Sequence, residues 1–310
     1  MKINLKLTVF ILLIFCTYQS FCQDAHFALV APPKDQPWTS VYGVAQDQLG
    51  YIWLWTAEGV YKYDGHQYTI YQHDVTDPNS IATNLVMYIL ADKDGTVWLG
   101  TVGKGLDHFD PATGNFTHYR HQRGVPGSLA ADSVGSLLQD RDGVLWAGTG
   151  LGLDKFDRKT NTFIHFRHND KDSGSLSCND VAAIYEDREG TLWVGTGETF
   201  TTHGDKNKGG LNRMDKKTGK FARYLHDEKD PHSLIDSRIT ALFEDSHGTF
   251  WVGTGGDGLH TMDRKTGTFE RHSYDPIHPE KLSRPPTRNI LIMLKTVSRS
   301  LTKTSRERYG

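Results

Sequence analysis

The sequence predicts an all-β protein, a β-propeller built from four-stranded antiparallel blades. Tryptophans recur at nearly constant spacing, and the same residues surround each of them. Each copy holds four short apolar runs bounded by turn residues, which is typical of β-hairpins. Helical periodicity is absent after the N-terminal leader. Four antiparallel strands in roughly 45 residues is the size of one propeller blade, and five such repeats are present.

The repeat is centred on a tryptophan that follows an aspartate by six positions. One copy reads Asp92-Lys-Asp-Gly95-Thr-Val-Trp98-Leu-Gly-Thr101, and it continues through a glycine-rich loop to two further strands. We expect the Asp and Gly to form a hairpin turn and the tryptophan to pack between blades, because an aromatic side chain buries ~150–250 Å². These repeat residues are Trp53, Trp98, Trp146, Trp193, Trp251, Asp92, Asp140, Asp187 and Asp245.

The chain divides into three predicted regions. Residues 1–22 have the pattern of an export signal, with Lys2 and Lys6 before a short apolar run, and cleavage is expected near Cys22. Residues 23–294 form the propeller, with five blades and the first strand of a sixth at 289–294. Residues 295–310 are a basic, non-repeating tail that we expect to be disordered. Since the repeat stops there, we interpret the chain as a truncated or frameshifted part of a larger propeller.

Composition excludes several classes of protein. The 35 basic residues are balanced by 37 acidic ones, so no general basic field for nucleic acid exists. The apolar leader is too short for a membrane anchor, which needs ~20 residues. Of the three cysteines, only Cys178 follows the leader, so no internal disulfide is expected.

A family resemblance rests on the recurring pattern Asp-x-x-Gly-x-x-Trp-x-Gly-Thr, followed by Gly-Leu-x-x-Phe-Asp and Thr-x-x-Phe-x-x-Tyr. Over about residues 25–294 it resembles the two-component regulator propeller repeat, which builds the periplasmic sensor of bacterial hybrid histidine kinases. The resemblance implies that this chain is an incomplete seven-bladed propeller. It implies an exported, periplasmic signal-transduction sensor for a small molecule or oligosaccharide. It also implies that the kinase, and any contact with the membrane, belongs to C-terminal parts that this chain lacks. The intact protein could form a homodimer.

The breaks in the repeat indicate where a ligand would bind. The fourth repeat carries an insertion of polar and aromatic residues between its second and third strands, and the first repeat has a second tryptophan in place of glycine. Both lie towards the face on which propellers bind ligands over the channel mouth. The candidate ligand-binding residues are Trp55, Glu58, Lys104, Phe200, His203, Asp205, Asn207 and Asp257.

No cofactor, metal site or catalytic residue is predicted. The Asp-x-x-Gly turns lack the further oxygen ligands of a calcium loop. His118 and His121, like His165 and His168, are three residues apart on a strand, so they face opposite sides and are expected to decorate an exposed outer strand. The chain is therefore predicted not to be an enzyme. The alternatives left open are a propeller-type lyase or glycosidase and a protein-interaction scaffold.

Overall fold

The computed structural model describes residues 31–33, 35, 38, 40–198, 205, 207–255, 258–272 and 277. The chain divides into two units, Met1–Pro37 and Trp38–Gly310, and the blades belong to the second. Every regular element within the described residues is a β-strand. The expected leader, the strand at 289–294 and the basic tail at 295–310 lie outside the described residues.

Twenty strands form five blades, one for each sequence repeat. Blade 1 comprises β1 (Val41–Gln46), β2 (Ile52–Thr56), β3 (Val60–Tyr63) and β4 (Tyr68–Tyr71). Blade 2 comprises β5 (Val86–Ala91), β6 (Val97–Thr101), β7 (Leu106–Asp110) and β8 (Asn115–Tyr119). Blade 3 comprises β9 (Val134–Gln139), β10 (Leu145–Thr149), β11 (Gly152–Asp157) and β12 (Thr162–Phe166). Blade 4 comprises β13 (Val181–Glu186), β14 (Leu192–Thr196), β15 (Gly210–Asp215) and β16 (Lys220–Tyr224). Blade 5 comprises β17 (Ile239–Glu244), β18 (Phe250–Thr254), β19 (Leu259–Asp263) and β20 (Thr268–His272).

Within each blade the four strands pair in chain order, and every pairing is antiparallel. The four apolar runs of each repeat therefore become four neighbouring strands, as the sequence predicts. The all-β blade architecture is confirmed. Closure into a seven-bladed ring stays a prediction, because five blades are described.

The apolar core lies between adjacent blades. Trp98 of blade 2 is 1% exposed and packs edge-on against Phe156 of blade 3, with ring centroids 5.3 Å apart. Trp53 meets Phe109 of the next blade in the same way, at 5.6 Å. Each joint buries aromatic surface from both sides, which is the largest apolar contribution a single residue pair can make here.

The aspartate of each repeat organises the turn between the first and second strands. Asp140 accepts the backbone N–H of Val144 at 2.9 Å and the indole Nε1–H of Trp146 at 2.9 Å. Gly143 has a φ of 80°, a conformation that glycine adopts without strain. One carboxylate thus fixes the turn and the tryptophan rotamer together, and the indole N–H is not left unpaired in the core.

Ion pairs join consecutive blades at the same aspartates. A basic residue from the outer hairpin of the following blade reaches three of them: Arg158 contacts Asp92, and Lys216 contacts Asp140 at 2.9 Å. Burial raises the pKa of Asp140, but hydrogen bonds from Trp146 and Lys216 outweigh it, so the pKa is lowered overall. The third joint repeats the arrangement with Arg264 on Asp187 at 2.9 Å.

Candidate ligand-binding face

Two kinds of connection leave the blades on one side of the molecule. Strands alternate in direction, so the loops between second and third strands emerge on the same side as the connections between blades. We call this side the loop face and the side with the two tight hairpin turns of each blade the turn face. The described parts of the loop face are residues 57–59, 72–85, 102–105, 120–133, 150–151, 167–180, 197–198, 205, 207–209, 225–238, 255 and 258.

The connections between blades are ordered by their own side chains. His121 places its Nδ1 2.9 Å from the carbonyl oxygen of Leu129, and its backbone N–H donates to Asp132 at 2.7 Å. Ser128 accepts the N–H of Gln122 at 2.9 Å, which closes the loop between them. Corresponding bonds recur in the other three connections, for example from His226 to Leu234 at 2.7 Å. His121 and His168 therefore fasten loops, contrary to the expectation that they lie on an outer strand. His118 and His165 do lie on the outer strands β8 and β12.

Backbone bonds tie the loop after the second strand to the start of the inner strand in blades 4 and 5. Gly197 donates to the carbonyl of Asp180 at 2.8 Å, and Gly255 donates to that of Arg238 at 2.7 Å. In both cases the acceptor is the residue that precedes an inner strand. In each of these two blades the loop and the connection are therefore held together by a backbone hydrogen bond.

Trp55 does not line this face, contrary to the prediction. It is 3% exposed and packs between blades 1 and 2, where its ring lies 6.4 Å from that of Tyr88. Its cross-strand partner is Gly43, and a Cβ at Gly43 would collide with the indole. In blade 2 the sizes are exchanged, with Tyr88 on the inner strand and Gly100 on the second. The unusual tryptophan thus fills the volume that the inner-strand side chain fills elsewhere.

Two predicted residues lie on the loop face of blades 1 and 2. Glu58 is half-buried, its backbone carbonyl accepts the side-chain amide of Gln72 at 2.9 Å, and its N–H bonds to Thr56 at 3.1 Å. Lys104 is exposed. Of the two, Lys104 presents its charged group to solvent without rearrangement.

The insertion of blade 4 is described only in part. Asp205 and Asn207 are exposed, and Asp205 caps its own turn by accepting the N–H of Asn207 at 2.9 Å. Phe200, His203 and Asp257 lie outside the described residues.

Asp180 was missed by the sequence analysis. It precedes the inner strand of blade 4, at a position held by Leu85, Ser133 and Arg238 in other blades. Burial, with a smaller contribution from the charge of Glu198, raises its pKa to about 6. The signal was available as a variable repeat position, which is Ser in blades 1 and 3, Leu in blade 2, Asp in blade 4 and Arg in blade 5.

Arg238 occupies the same position in blade 5, and its charge is paired with that of Asp236. Its guanidinium holds Asp236 through two nitrogens, with the shortest contact at 2.6 Å, and both side chains are nearly buried. The bond to Asp236 raises the pKa of Arg238 against the effect of burial, and the charge of Asp205 contributes in the same direction. The insertion therefore acts electrostatically on the rim of the neighbouring blade.

Apolar side chains occupy the loop face of blades 2 and 3. Leu85, Val102 and Leu151 are 48%, 43% and 51% exposed, and the backbone of Val102 bonds to that of Leu85 at 3.1 Å. The face thus has an apolar part on these blades and a carboxylate-rich part on blade 4. Such a combination suits a ligand that carries both apolar surface and many hydrogen-bonding groups. Among the described residues, no group of three or more His, Cys, Asp or Glu side chains is arranged to hold a metal ion.

Family comparison accounts for the repeat. Residues 80–103, 128–150, 175–198 and 233–256 match the model of the two component regulator propeller. Each match runs from the end of a connection through the inner strand and the Asp turn to the second strand. Four of the blades are two-component regulator propeller repeats. Blade 1, in which Trp55 and Gly43 exchange the usual sizes, is the blade without a match.

Solved structures similar to this chain include two extracellular domains from B. thetaiotaomicron that are assigned to hybrid two-component systems. They are each 21% identical to this chain, with TM-scores of 0.49 and 0.34, and they cover 82% and 77% of it. PorZ, a bacterial surface component of the type-IX secretion system of Porphyromonas gingivalis, is 16% identical over 81% of the chain with a TM-score of 0.54. The chain spans 37%, 42% and 35% of the lengths of these structures. No curated protein matches the sequence, and no described helix is long and apolar enough to cross a membrane.

Proposed function

We propose that this chain is the ligand-sensing propeller of an exported two-component regulator and that its ligand binds on the loop face. The observation that carries the proposal is the placement of variation. Four regulator-propeller repeats share their turn face chemistry, whereas the residues that differ from blade to blade, Asp180 and Arg238 among them, lie on the loop face. A common scaffold with one variable face is the arrangement expected of a binding protein.

An oligosaccharide is the ligand class we favour. The loop face offers exposed charged and amide groups at Lys104, Asp205 and Asn207 for hydroxyl groups, and apolar side chains on blades 2 and 3 for the C–H faces of sugar rings. Binding would act on signalling only through a difference in affinity between two arrangements of the sensor. Export to the periplasm is part of this proposal and is supported by the signal-like residues 1–22.

The test is a panel of labelled oligosaccharides and monosaccharides presented to the full chain, followed by calorimetric titration of any ligand that binds. Lys104→Ala, on the loop face, is compared with Lys159→Ala, a matched substitution of an exposed lysine on the turn face. We expect at least fivefold weaker binding for the first variant and an unchanged Kd for the second. Equal changes in Kd for the two variants would contradict the proposal. So would the absence of any binding by the wild-type chain across the whole panel.

A glycosidase is the second candidate, and one observation favours it. Asp180 has a pKa of about 6 and lies near a second carboxylate, Glu198, so it could hold a proton near neutral pH as a general acid does. The same panel separates the two functions. Release of reducing ends by the chain, lost in Asp180→Asn, would indicate catalysis, whereas binding without turnover indicates sensing.

A further inference from the structure

A cross-strand pair of polar side chains lies beneath each connection that enters blades 2 to 5. One member is on the third strand and the other is opposite it on the fourth. The fourth-strand member reaches back to a four-residue turn in the connection, at residues 77–80, 125–128, 172–175 and 230–233. The pairs are Asp107 with His118, Asp154 with His165, Asn212 with Arg223, and His260 with Arg271.

In blade 4 the pair is a cation above a neutral side chain. Arg223 donates from Nε to the carbonyl of Ser175 at 2.7 Å and from a terminal nitrogen to the carbonyl of Asp172 at 2.8 Å. Beneath it, the Asn212 amide accepts the N–H of Ser177 at 2.8 Å. Arg223 also donates to the hydroxyl of Ser175 at 2.6 Å, so the connection is held by three bonds from a permanently charged group and one bond from a neutral group.

Blade 5 repeats this arrangement with different residues. Arg271 donates to the carbonyls of Ser233 and Asp230, each at 2.9 Å. His260 accepts the N–H of Ile235 on Nε2 at 3.0 Å, so its proton is on Nδ1, near the carbonyl of Val252. Burial lowers the pKa of His260 to about 4, and the ring is neutral, as Asn212 is in blade 4.

In blades 2 and 3 the charges are distributed differently. His118 lies with Nδ1 2.7 Å from Asp107 and with Nε2 3.0 Å from the carbonyl of Pro78, while the other oxygen of Asp107 accepts the N–H of Ala82 at 2.7 Å. The corresponding distances from His165 to Asp154 and to the carbonyl of Pro126 are 2.6 and 2.7 Å. Both ring nitrogens thus face acceptors in each blade.

These contacts require one more proton than a neutral imidazole and a carboxylate hold separately. A carbonyl oxygen has no hydrogen to give, so Nε2 must donate. A second proton must then lie between Nδ1 and the carboxylate, whichever of the two atoms carries it. Without it, two lone pairs would face each other at hydrogen-bond distance.

We infer that the Asp107–His118 and Asp154–His165 pairs each retain this proton in the folded protein and act as pH-sensitive clamps on two connections, where Arg223 and Arg271 clamp the other two at any pH. The type of the third-strand residue correlates with its fourth-strand partner: it is acidic opposite histidine and neutral opposite arginine. Histidine is a cation only while it holds a second proton, which a neighbouring carboxylate stabilises, whereas arginine is charged without such help.

The electrostatic surroundings agree in direction. The hydrogen bond from Asp107 raises the pKa of His118 against burial and against the charge of Arg120. In blade 3, burial raises the pKa of Asp154 against its hydrogen bond with His165 and the charge of Arg167. In blade 2 the raised pKa of His118 lets the folded pair hold its proton to higher pH than a free histidine does. In blade 3 the proton is assigned from the two contacts of His165. The clamp is therefore complete below the unfolded histidine pKa of about 6.5 and is lost as pH rises through the folded pKa.

Each clamp acts on a connection of the loop face, so alkaline pH would loosen the loops of blades 2 and 3 while those of blades 4 and 5 stay fixed. An effect on ligand affinity rests on the proposed function. The clamp itself does not, and it is tested without ligand.

Hydrogen exchange of the full chain between pH 6 and pH 9 tests the inference. Ala82, Ala130, Ser177 and Ile235 have equivalent amides, each bonded to the third-strand residue of its blade. After correction for intrinsic rates, we expect the protection of the Ala82 and Ala130 amides to fall about tenfold relative to the other two amides. Each of these connections then loses one charge-assisted bond from its histidine, although the carboxylate still accepts the amide. A constant ratio among the four amides over this range would overturn the inference.

Exchanging the pairs provides a matched control. The double substitution D107N/H118R converts blade 2 to the blade 4 arrangement and should abolish the pH dependence at Ala82 while leaving that at Ala130. The reverse change, N212D/R223H, should create a pH dependence at Ser177. Retention of the dependence in the first variant contradicts the assignment, and the wild-type comparison stands even if a variant does not fold.

Discussion

Replacing Asp140 by alanine should reveal how much the aspartate of each repeat contributes to stability. Its carboxylate accepts four hydrogen bonds at 2.9–3.0 Å, from the backbone of Asp142 and Val144, from the indole of Trp146 and from Lys216. The substitution leaves the indole N–H of Trp146 buried without a partner and removes the ion pair at the blade 3–4 joint.

The expected loss follows from these contacts. An unpaired buried N–H costs about 1–3 kcal/mol, and the two turn amides, which are only partly buried, add about 1 kcal/mol each at most. Lys216 keeps Glu186 at 2.6 Å and is partly exposed, so its contribution is at the low end of surface ion pairs, about 0–1 kcal/mol. The total is about 1–6 kcal/mol, and a central value of about 3 kcal/mol corresponds to roughly 6–12 °C in Tm for a domain of this size.

Denaturant unfolding, followed by circular dichroism and by tryptophan fluorescence, measures this loss and shows whether the blades unfold together. Asp142→Ala is the matched control, because that carboxylate is in the same turn but is 70% exposed; we expect a change within about 0.5 kcal/mol. A loss below about 1 kcal/mol for Asp140→Ala, or equal losses for both variants, would refute the assigned role of the carboxylate.

Three further predictions concern other parts of the fold. Trp55→Gly should destabilise the protein by about 3–5 kcal/mol by leaving a cavity, and adding Gly43→Tyr, which recreates the Tyr88–Gly100 arrangement of blade 2, should recover at least half in thermal unfolding; no recovery would contradict the size exchange. The pKa values of Asp92 and Asp140 are lowered, so their contribution to stability is complete above the unfolded value of about 3.9 and is lost as pH falls through the folded values. In an acid titration followed by fluorescence, Arg158→Ala should therefore unfold at higher pH than wild type. Identical curves would argue against the ion pair. Gly105→Ala should cost more than Gly103→Ala, because both have positive φ but only the first would press a Cβ on the carbonyl of Tyr119; equal melting temperatures would contradict this.

The strands and turns were predictable from the sequence because their determinants are local. Alternating apolar runs and the Asp-x-x-Gly spacing lie within single repeats. Because the repeat occurs five times, its shared residues stand out from the positions that differ between copies. The bond from Asp140 to Trp146 spans six positions. No such local signal connects Lys216 with Asp140, which are 76 positions apart, and the ion pairs between blades emerge only when adjacent blades are placed together.

The candidate site was predicted less well. Trp55 was taken for a surface residue because it departs from the repeat, whereas its departure is compensated across the strand by Gly43. The compensating residue is 12 positions away, and it becomes informative only once the register of β1 and β2 is known. Asp180 was overlooked because one carboxylate in a polar connection is unremarkable in sequence. Its burial beside Glu198 gives it the perturbed pKa that marks it.

Hydrogen exchange of the chain with and without an oligosaccharide from the panel tests the proposed sensing face most directly. The account predicts that added protection is confined to the loop face, at residues 57–59, 102–105, 150–151 and the connections between blades, with the Asp turns at residues 92–95 and 140–143 unchanged. Protection concentrated on the turn face, or spread evenly over both faces, would contradict the assignment of the ligand to the loop face.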